Sequence, residues 1–408
     1  MKKSLFALAA VTAFAGAAQA QSSVTVYGIL DAGFSSLNQR TGGPTTVTKS
    51  TTASLGGNGN ESTSRLGFKG NEDLGGGMSA FFTVEVAITP NSAQNVSTGT
   101  TSNRQTFVGL KKNGIGQFAL GTQYTPVHVA VAATDPGQTN NIVGNVIYPN
   151  AGTTSRDGQT TTQADGGTFG YVVRTNNALT VTTEKFAGFQ GNLFYTQNNA
   201  NTNSTTVAAP NSGYTGGHTN QSGYGLGVNY NWQKLLVTAN YQSFKAENPY
   251  TQTAAGVVTT GIPVAWGVGG ASAAGTNTKD NNTYFAATYD FGILKAYAQY
   301  LNRKIESTIS SNNYMKRSAQ QIGVRSFITP TIEAWGSIGN GRISSYGPNQ
   351  PTANFTGWQV GSNYLLSKRT NLYAIYGQTG TSNVASVAGT GNVSTNANQY
   401  AVGVRHTF

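Results

Sequence analysis

The sequence predicts an all-β chain, a sixteen-stranded antiparallel β-barrel built to cross a membrane. Three observations predict it. The 408 residues include 52 Gly, 20 Tyr and 18 Phe beside abundant Thr, Ser and Asn, a composition of strands and turns rather than helices. Only 10% are charged and 38% apolar, both below the usual values for soluble domains. Finally, short segments recur in which apolar residues alternate with polar or small ones, and turn-forming residues separate them.

Composition also excludes classes. A disordered chain needs high charge and few aromatic residues, the reverse of what is found. With no Cys there is no disulfide frame and no thiolate metal site. The first twenty residues, MKKSLFALAAVTAFAGAAQA, carry Lys2 and Lys3, an apolar run from Leu5 to Ala17, and the small-x-small sequence Ala18-Gln19-Ala20. This reads as an export signal over 1–20, leaving 21–408 as one barrel domain. No later stretch approaches 18 consecutive apolar residues, so helical spanning is not expected.

The strands follow in order. Ser23–Ser35 opens the series. In Ser62–Gly70, Leu66 and Phe68 share one face, and Arg65, Gly67 and Lys69 the other. Met78–Ile88, Arg104–Lys112 and Ile115–Tyr124 come next. Gly223–Trp232 sets Tyr224, Leu226, Val228 and Tyr230 against Gly225, Gly227, Asn229 and Asn231. Ile293–Arg303 sets Leu294, Ala296, Ala298 and Tyr300 against Lys295, Gln299 and Arg303. In Gln399–Phe408 the apolar face is Tyr400, Val402, Val404 and Phe408, with His406. The polar faces decide the solvent. A soluble sandwich would carry charge there, whereas these carry Gly, Asn, Gln, Thr and sparse Arg or Lys. Apolar outward, polar inward and aromatic residues at the ends is the pattern of a lipid-embedded barrel, with spanning strands of ~9–11 residues.

Connection lengths give the strand number. Seven short turns alternate with eight long Thr/Asn/Ser/Gly-rich stretches, at 36–60, 89–103, 125–165, 200–221, 246–281, 304–315, 341–353 and 380–397. That makes sixteen strands with both termini on the short-turn side, enough to enclose an aqueous channel. The 125–165 stretch, about 40 residues long, exceeds an ordinary hairpin loop and is a candidate functional segment.

Four segments resemble the general trimeric porins of Gram-negative outer membranes, in particular their anion-selective branch. They are SSVTVYGILDAGF (22–34), STSRLGFKGNEDLGGGMSAFFTVE (62–85), NRQTFVGLKKNGIGQFALGTQYTP (103–126) and GVRHTF (403–408). The resemblance implies a homotrimer in the outer membrane, in contact with lipid and lipopolysaccharide. It implies a long third loop folded into the lumen as a constriction, and a terminal Phe408 read as an assembly signal. It departs from the pattern in two places. Thr122 follows Leu120-Gly121 where many relatives carry Arg, and Asp135-Pro136-Gly137 is the nearest match to an acidic loop tip.

A pore performs no bond chemistry; its site is a charged ring in a narrow, low-dielectric hole. Strand phase puts Arg65 in the lumen beside Lys69. Arg104 starts the fourth strand near its loop end, and Arg174 ends the returning loop segment. These three arginines match the positions of the constriction arginines in the anion-selective relatives. Glu85, Asp135 and Asp31 are the candidates for opposing acidic lumen residues, keeping anions from binding too tightly. Lys295, Arg303, Arg317, Arg325 and Arg405 also fall on inward phases. The function these imply is passive diffusion of small anionic or neutral hydrophilic solutes. Two alternatives stand beside it: a channel specific for organic acids or phosphate, and, in another class, a secreted β-rich adhesin. His128, His218 and His406 are isolated, and no H-E-x-x-H, G-x-S-x-G or P-loop occurs, so no enzyme activity, cofactor or metal is expected. Cations this sparse do not make a phosphate-tracking patch for nucleic acid.

Overall fold

A computed structural model describes residues 23–42, 46–56, 59–90, 103–149, 170–202, 217–248, 276–308, 314–346, 352–385 and 392–408. The expected export signal over 1–20 lies outside them, as does part of each long stretch. Strands run β1 (Ser23–Gly42), β2 (Val47–Gly56), β3 (Arg65–Gly75), β4 (Met78–Ala87), β5 (Asn103–Lys112) and β6 (Gly116–Tyr124). After helix α1 (Pro126–Thr134) come β7 (Arg174–Thr183), β8 (Phe189–Thr202), β9 (Gly217–Trp232), β10 (Leu235–Asn248), β11 (Thr276–Asp290) and β12 (Lys295–Ser307). The last are β13 (Tyr314–Thr329), β14 (Ile332–Tyr346), β15 (Ala353–Leu365), β16 (Thr370–Ala385) and β17 (Asn392–Thr407).

From β3 onward each strand pairs antiparallel with the next, and β17 pairs with β1 from Ile29↔Thr407 to Gly42↔Ser394, closing the sheet. The other edge of β1 is shared, with β2 on Gly33–Gly42 and β3 on Ser23–Ile29. The seventeen segments therefore make sixteen staves. Closure pairs the staves all round the barrel, as hydrocarbon surroundings require, although β2 pairs with β1 alone among the described strands.

One face of the wall is apolar and exposed: Val108 is 60% exposed, Ile322 63% and Ile338 60%. The other buries Gln242, Asn282, Gln321 and Gln359. Among the described residues no helix is long and apolar enough to cross a membrane.

Two expectations change. The 36–60 stretch is mostly strand, because β1 and β2 continue as a hairpin to Gly42 and Val47. From β8 to β17 the strands hold 13–16 residues, longer than the membrane needs. Thr, Asn and Ser read as loop residues, yet here they extend the ladder beyond the apolar belt, where a solvated outer face tolerates them.

The segment after β6 begins with Thr125. Its amide and hydroxyl donate to the Val173 and Val172 carbonyls at 3.0 and 2.7 Å, pinning departure and return together. Its Oγ1 also accepts from the His128 amide at 3.3 Å, capping α1, and Pro126 suits the first turn. Val127, Val131, Ile147 and Tyr171 then pack on Tyr284, Leu301 and Phe355, which lie on the buried face of the strands. Gln321, Gln359 and Gln399 fasten the chain between Asn140 and Val146 by amide hydrogen bonds of 2.6–3.2 Å.

Closure ends on Phe408. Its amide and carbonyl exchange hydrogen bonds with Gly28 at 3.1 Å in both directions. A Cβ on Gly28 would stand 2.4 Å from the Phe408 ring and 2.6 Å from the Arg65 carbonyl, so the ring lies where a side chain would be. Gly28→Val is expected to lower the stability of the folded barrel by about 1–3 kcal/mol, the usual range for overpacking. Heat-modifiability on gels and thermal melting in detergent measure this. Melting as in wild type would show that the seam accommodates the side chain.

Candidate functional site

The row begins on β3, where Arg65 is the first strand residue, and continues on β4 with Glu85 and on β5 with Arg104. The Arg104 Nε donates to Glu85 Oε1 at 2.8 Å, and an Arg65 Nη stands 3.9 Å from the same oxygen. Tyr27 of β1 donates its hydroxyl to Glu85 Oε2 at 3.1 Å. The second Nη of Arg104 donates to the Tyr124 hydroxyl at 2.6 Å. Arg174 is paired in register with Tyr124, and its guanidinium lies 5.8 Å from that ring centre. Two guanidiniums thus converge along one arc of the wall on a single carboxylate, and a third, Arg174, joins them through Tyr124. A buried Nη of Arg174 has no partner among the described residues.

Arg104 reaches this row through a bulge. Strict alternation would group it with Thr106 and Val108 on the exposed face. The β4–β5 register instead steps from Glu85↔Gln105 to Val86↔Asn103, leaving Arg104 as the extra residue. Bulges re-aim side chains in this way, and Arg104 turns from the apolar face to Glu85, 7% exposed.

Behind the row stands an aromatic group that sequence reasoning missed. His128 on α1 lies 4.5 Å from the Tyr124 ring, and its Nδ1 is 3.0 Å from the Tyr171 hydroxyl. Burial, helped by the nearby charges of Arg174, Arg104 and Arg65, pushes its pKa down to about 3. A lone His carries no sequence signal for this; the Tyr-Thr-Pro start of the helix is the one local cue.

The remaining expected site residues lie elsewhere. Lys69 is exposed, 5.4 Å from the Tyr27 ring centre, and does not join Arg65. Four residues along a strand separate two side chains by roughly 13 Å. Glu85 does not oppose the arginines from another arc but is their shared partner. Asp31 is fully buried and bonds locally: one oxygen accepts from the Glu61 and Ser62 amides at 2.9 and 2.7 Å, the other from the Tyr373 hydroxyl at 2.6 Å. Asp135 ends α1 and accepts from the Thr139 amide and from the Asn145 and Gln321 side chains at 2.7–3.1 Å. Burial raises its pKa against those hydrogen bonds. Both acids organise backbone turns rather than face open space.

The other inward cations are largely spoken for. Arg303 pairs with Asp280 at 2.6 Å and Arg325 with Glu333 at 2.5 Å. Arg405 stands 3.5 Å from Glu61. Arg317 donates to the Val146 carbonyl at 2.6 Å and covers the Phe355 ring. Lys295 lies over Tyr297.

The Gram-negative porin family model matches residues 7–385. The chain belongs to the Gram-negative porin family. It is 33% identical over 195 residues to outer membrane porin protein 32 of Delftia acidovorans, covering 48% of this chain and 49% of that one. It is 40% identical over 129 residues to the major outer membrane protein P.IB of Neisseria meningitidis, covering 30% and 33%. The matched region thus spans half or less of these curated relatives. Among solved structures, an anion-selective porin from Comamonas acidovorans superposes with a TM-score of 0.64 at 22% identity, over 95% of this chain and all of that one. The trimer form of OmpT from Vibrio cholerae gives 0.56 at 15%, over 95% and 99%. At such identities the porin likeness is one of fold.

With its pKa near 3, His128 stays neutral throughout the physiological range. The unfolded state, with an ordinary His, binds the proton first as pH falls, so His128 contributes stability that is present above about pH 6.5 and declines as pH falls toward 3. His128→Phe is therefore expected to flatten the fall in melting temperature between pH 6.5 and 4. A profile parallel to wild type would contradict the buried neutral imidazole.

Proposed function

We propose that this chain forms a water-filled outer-membrane porin, a homotrimer through which small hydrophilic solutes diffuse passively with preference for anions. Its residence is the outer membrane, reached by export on the 1–20 signal. The observation that carries the selectivity is the row in which Arg65 and Arg104 share the one carboxylate of Glu85 and Arg174 joins them across the Tyr124 ring.

A guanidinium remains protonated at any working pH and offers several donors to chloride, carboxylate or phosphate. In a narrow hole the net positive charge raises the local anion concentration. Glu85 keeps the attraction shallow enough for release. The segment from Thr125 to Pro149, fastened to the buried faces of β11–β17, is the constriction that brings solutes against the row. Trimer assembly is supported by the family fold and by the trimer form of OmpT.

Contact with outer-membrane lipid and lipopolysaccharide has support on the outward wall of β10–β15. Above the Ile322–Ile338–Trp358 belt runs a polar level of Gln320, Asn340 and Thr356. Above that stand Lys245, Lys279, Lys304, Lys316 and Arg342, against Glu247 and Glu306 alone. Beside Arg342 a groove of about 400 Å³ is lined by Tyr300, Gln320, Asn340, Asn354 and Thr356. Acyl chains, sugar hydroxyls and phosphates would meet apolar, amide and cationic levels in that order.

Single-channel recording under a salt gradient tests the function. Conductance in steps of three with a reversal potential on the anion side is expected. Arg65→Gln/Arg104→Gln is expected to lower the anion/cation permeability ratio about fivefold, the effect of losing about 1 kcal/mol of attraction. An unchanged ratio would reject the arginine row as the selectivity element. Saturable block by an organic acid or by phosphate would favour the specific channel. For the lipid wall, Lys316→Gln/Arg342→Gln should retain less phosphorylated lipopolysaccharide through a detergent wash, read by native mass spectrometry. Equal retention would remove that surface.

A further inference from the structure

The wall has one break that the porin function does not by itself require. β1 pairs with β3 up to Ile29↔Arg65 and resumes with β2 at Gly33↔Gly56, so the second stave leaves the ladder between Gly56 and Arg65, and residues 59–64 turn around Asp31. Within the break, Asn60, Glu61 and Ser64 are buried. Gly59 has φ +72°, and a Cβ there would stand 1.9 Å from the Ser62 carbonyl.

Backbone that leaves a membrane-spanning wall must find its hydrogen bonds inside the protein. Here Asp31 supplies them, accepting the Glu61 and Ser62 amides on one oxygen. Its own amide donates to Ser64 Oγ at 2.9 Å, and that hydroxyl returns to the Asp31 carbonyl at 3.1 Å. Tyr373 of β16 holds the second carboxylate oxygen, and Asn60 donates to the Tyr373 hydroxyl at 3.2 Å. Asn371 donates to Glu61 at 2.9 Å, and Arg405 lies 3.5 Å from the same oxygen. Three staves thus grip the break from outside.

The break in turn grips two things. The Asn141 amide donates to the Asn60 carbonyl at 2.8 Å, and its side chain donates to the Gly59 carbonyl at 2.8 Å and to the Thr63 hydroxyl at 3.2 Å. The Arg65 Nε donates to the Thr63 carbonyl at 2.9 Å. The farthest reach of the inserted segment and the first arginine of the row are therefore held by the same few residues.

We infer that residues 59–64, folded around Asp31, are a positioning clasp that sets the bore and the aim of Arg65 together, with Asn141 as its contact on the inserted segment. Asp31 acts through backbone amides and Tyr373, touching no solute; it is a positioning residue. The inference rests on the porin reading, and the two fail separately: a wild-type protein without conductance removes the porin, whereas the clasp is judged on variants that do conduct.

The test is single-channel recording of the full chain refolded as the wild type. Asn141→Ala leaves every stave untouched and is expected to raise the frequency of brief closures about tenfold, the factor that its two lost side-chain hydrogen bonds supply at the low end of ordinary strength. Its reversal potential should stay near the wild-type value. Asp31→Ala is expected to add a second effect, a lower anion/cation ratio, because Arg65 loses the carbonyl that orients it. Asp31→Asn keeps an acceptor for the two amides and should restore both properties while removing the charge. If Asp31 were a lumen charge, Asn and Ala would raise the anion preference alike and leave the closures unchanged, and that result overturns the clasp. Wild-type closure frequency in Asn141→Ala also overturns it, whether or not the Asp31 variants fold.

Discussion

The constraint on which everything else depends is that backbone amides and carbonyls inside a membrane must be paired within the protein. It forces the sheet to close from β17 to β1, and it makes any departure from the ladder costly unless side chains supply the missing partners. Departures are therefore few and informative. The bulge at Arg104 turns a side chain from the lipid face to the interior. The break at 59–64 frees backbone that Asp31, Ser64 and Tyr373 then satisfy. These two sit at the arginine row and beside it; other register shifts fall in β3–β4, β6–β7, β13–β14 and β16–β17, whereas β8–β12 run without one.

On the proposed porin reading, charge is arranged by a second constraint, that a passing ion must be attracted and still leave. Three guanidiniums without a counter-charge would repel one another, and equal numbers of acids would cancel the field. One carboxylate resolves both. Glu85 bonds two arginines through one oxygen and Tyr27 through the other, so the row is held rigidly while remaining net positive. Tyr124 extends it to Arg174 by a hydroxyl and a ring face, at no further cost in charge.

Much of this was legible in the sequence. Alternation in segments such as 223–232 and 399–408 identifies the lipid face because period two is a property of the strand itself. The count of turns and loops gives the staves. Alternation could not reveal a bulge, since a bulge is the one place where period two fails; Arg104 was found as a residue and not as a direction. Nor could it distinguish Asp31 as a lumen charge from Asp31 as a backbone acceptor, because the strand phase is identical and the difference lies in which amides come near; Asp135, at the end of α1, has no strand phase to read. Lys69 shares a face with Arg65, but height along the strand separates them. His128 meets Tyr171 only where the chain returns to the wall at Val172 and Val173, a contact between distant positions that no local pattern encodes.

The inserted segment is anchored largely by neutral groups, with Arg317 and Arg325 adding donations to the Val146 and Pro136 carbonyls at 2.6 Å. Gln321, Gln359 and Gln399 hold it through amides, and the apolar faces of Val127, Val131 and Ile147 hold it through packing. Neutral hydrogen bonds in a buried site are screened little by salt, so the bore can keep its shape across ionic strengths that weaken attraction to the row. On that arc Arg303 and Arg325 are each matched by a carboxylate. Arg317 on the same arc is engaged by the Val146 carbonyl and the Phe355 ring, so the cations there serve shape, while Arg65, Arg104 and Arg174 form the net positive row on the other side. The 59–64 break is where the two meet, since Asn141 ends the neutral anchor there and Arg65 begins the charged row.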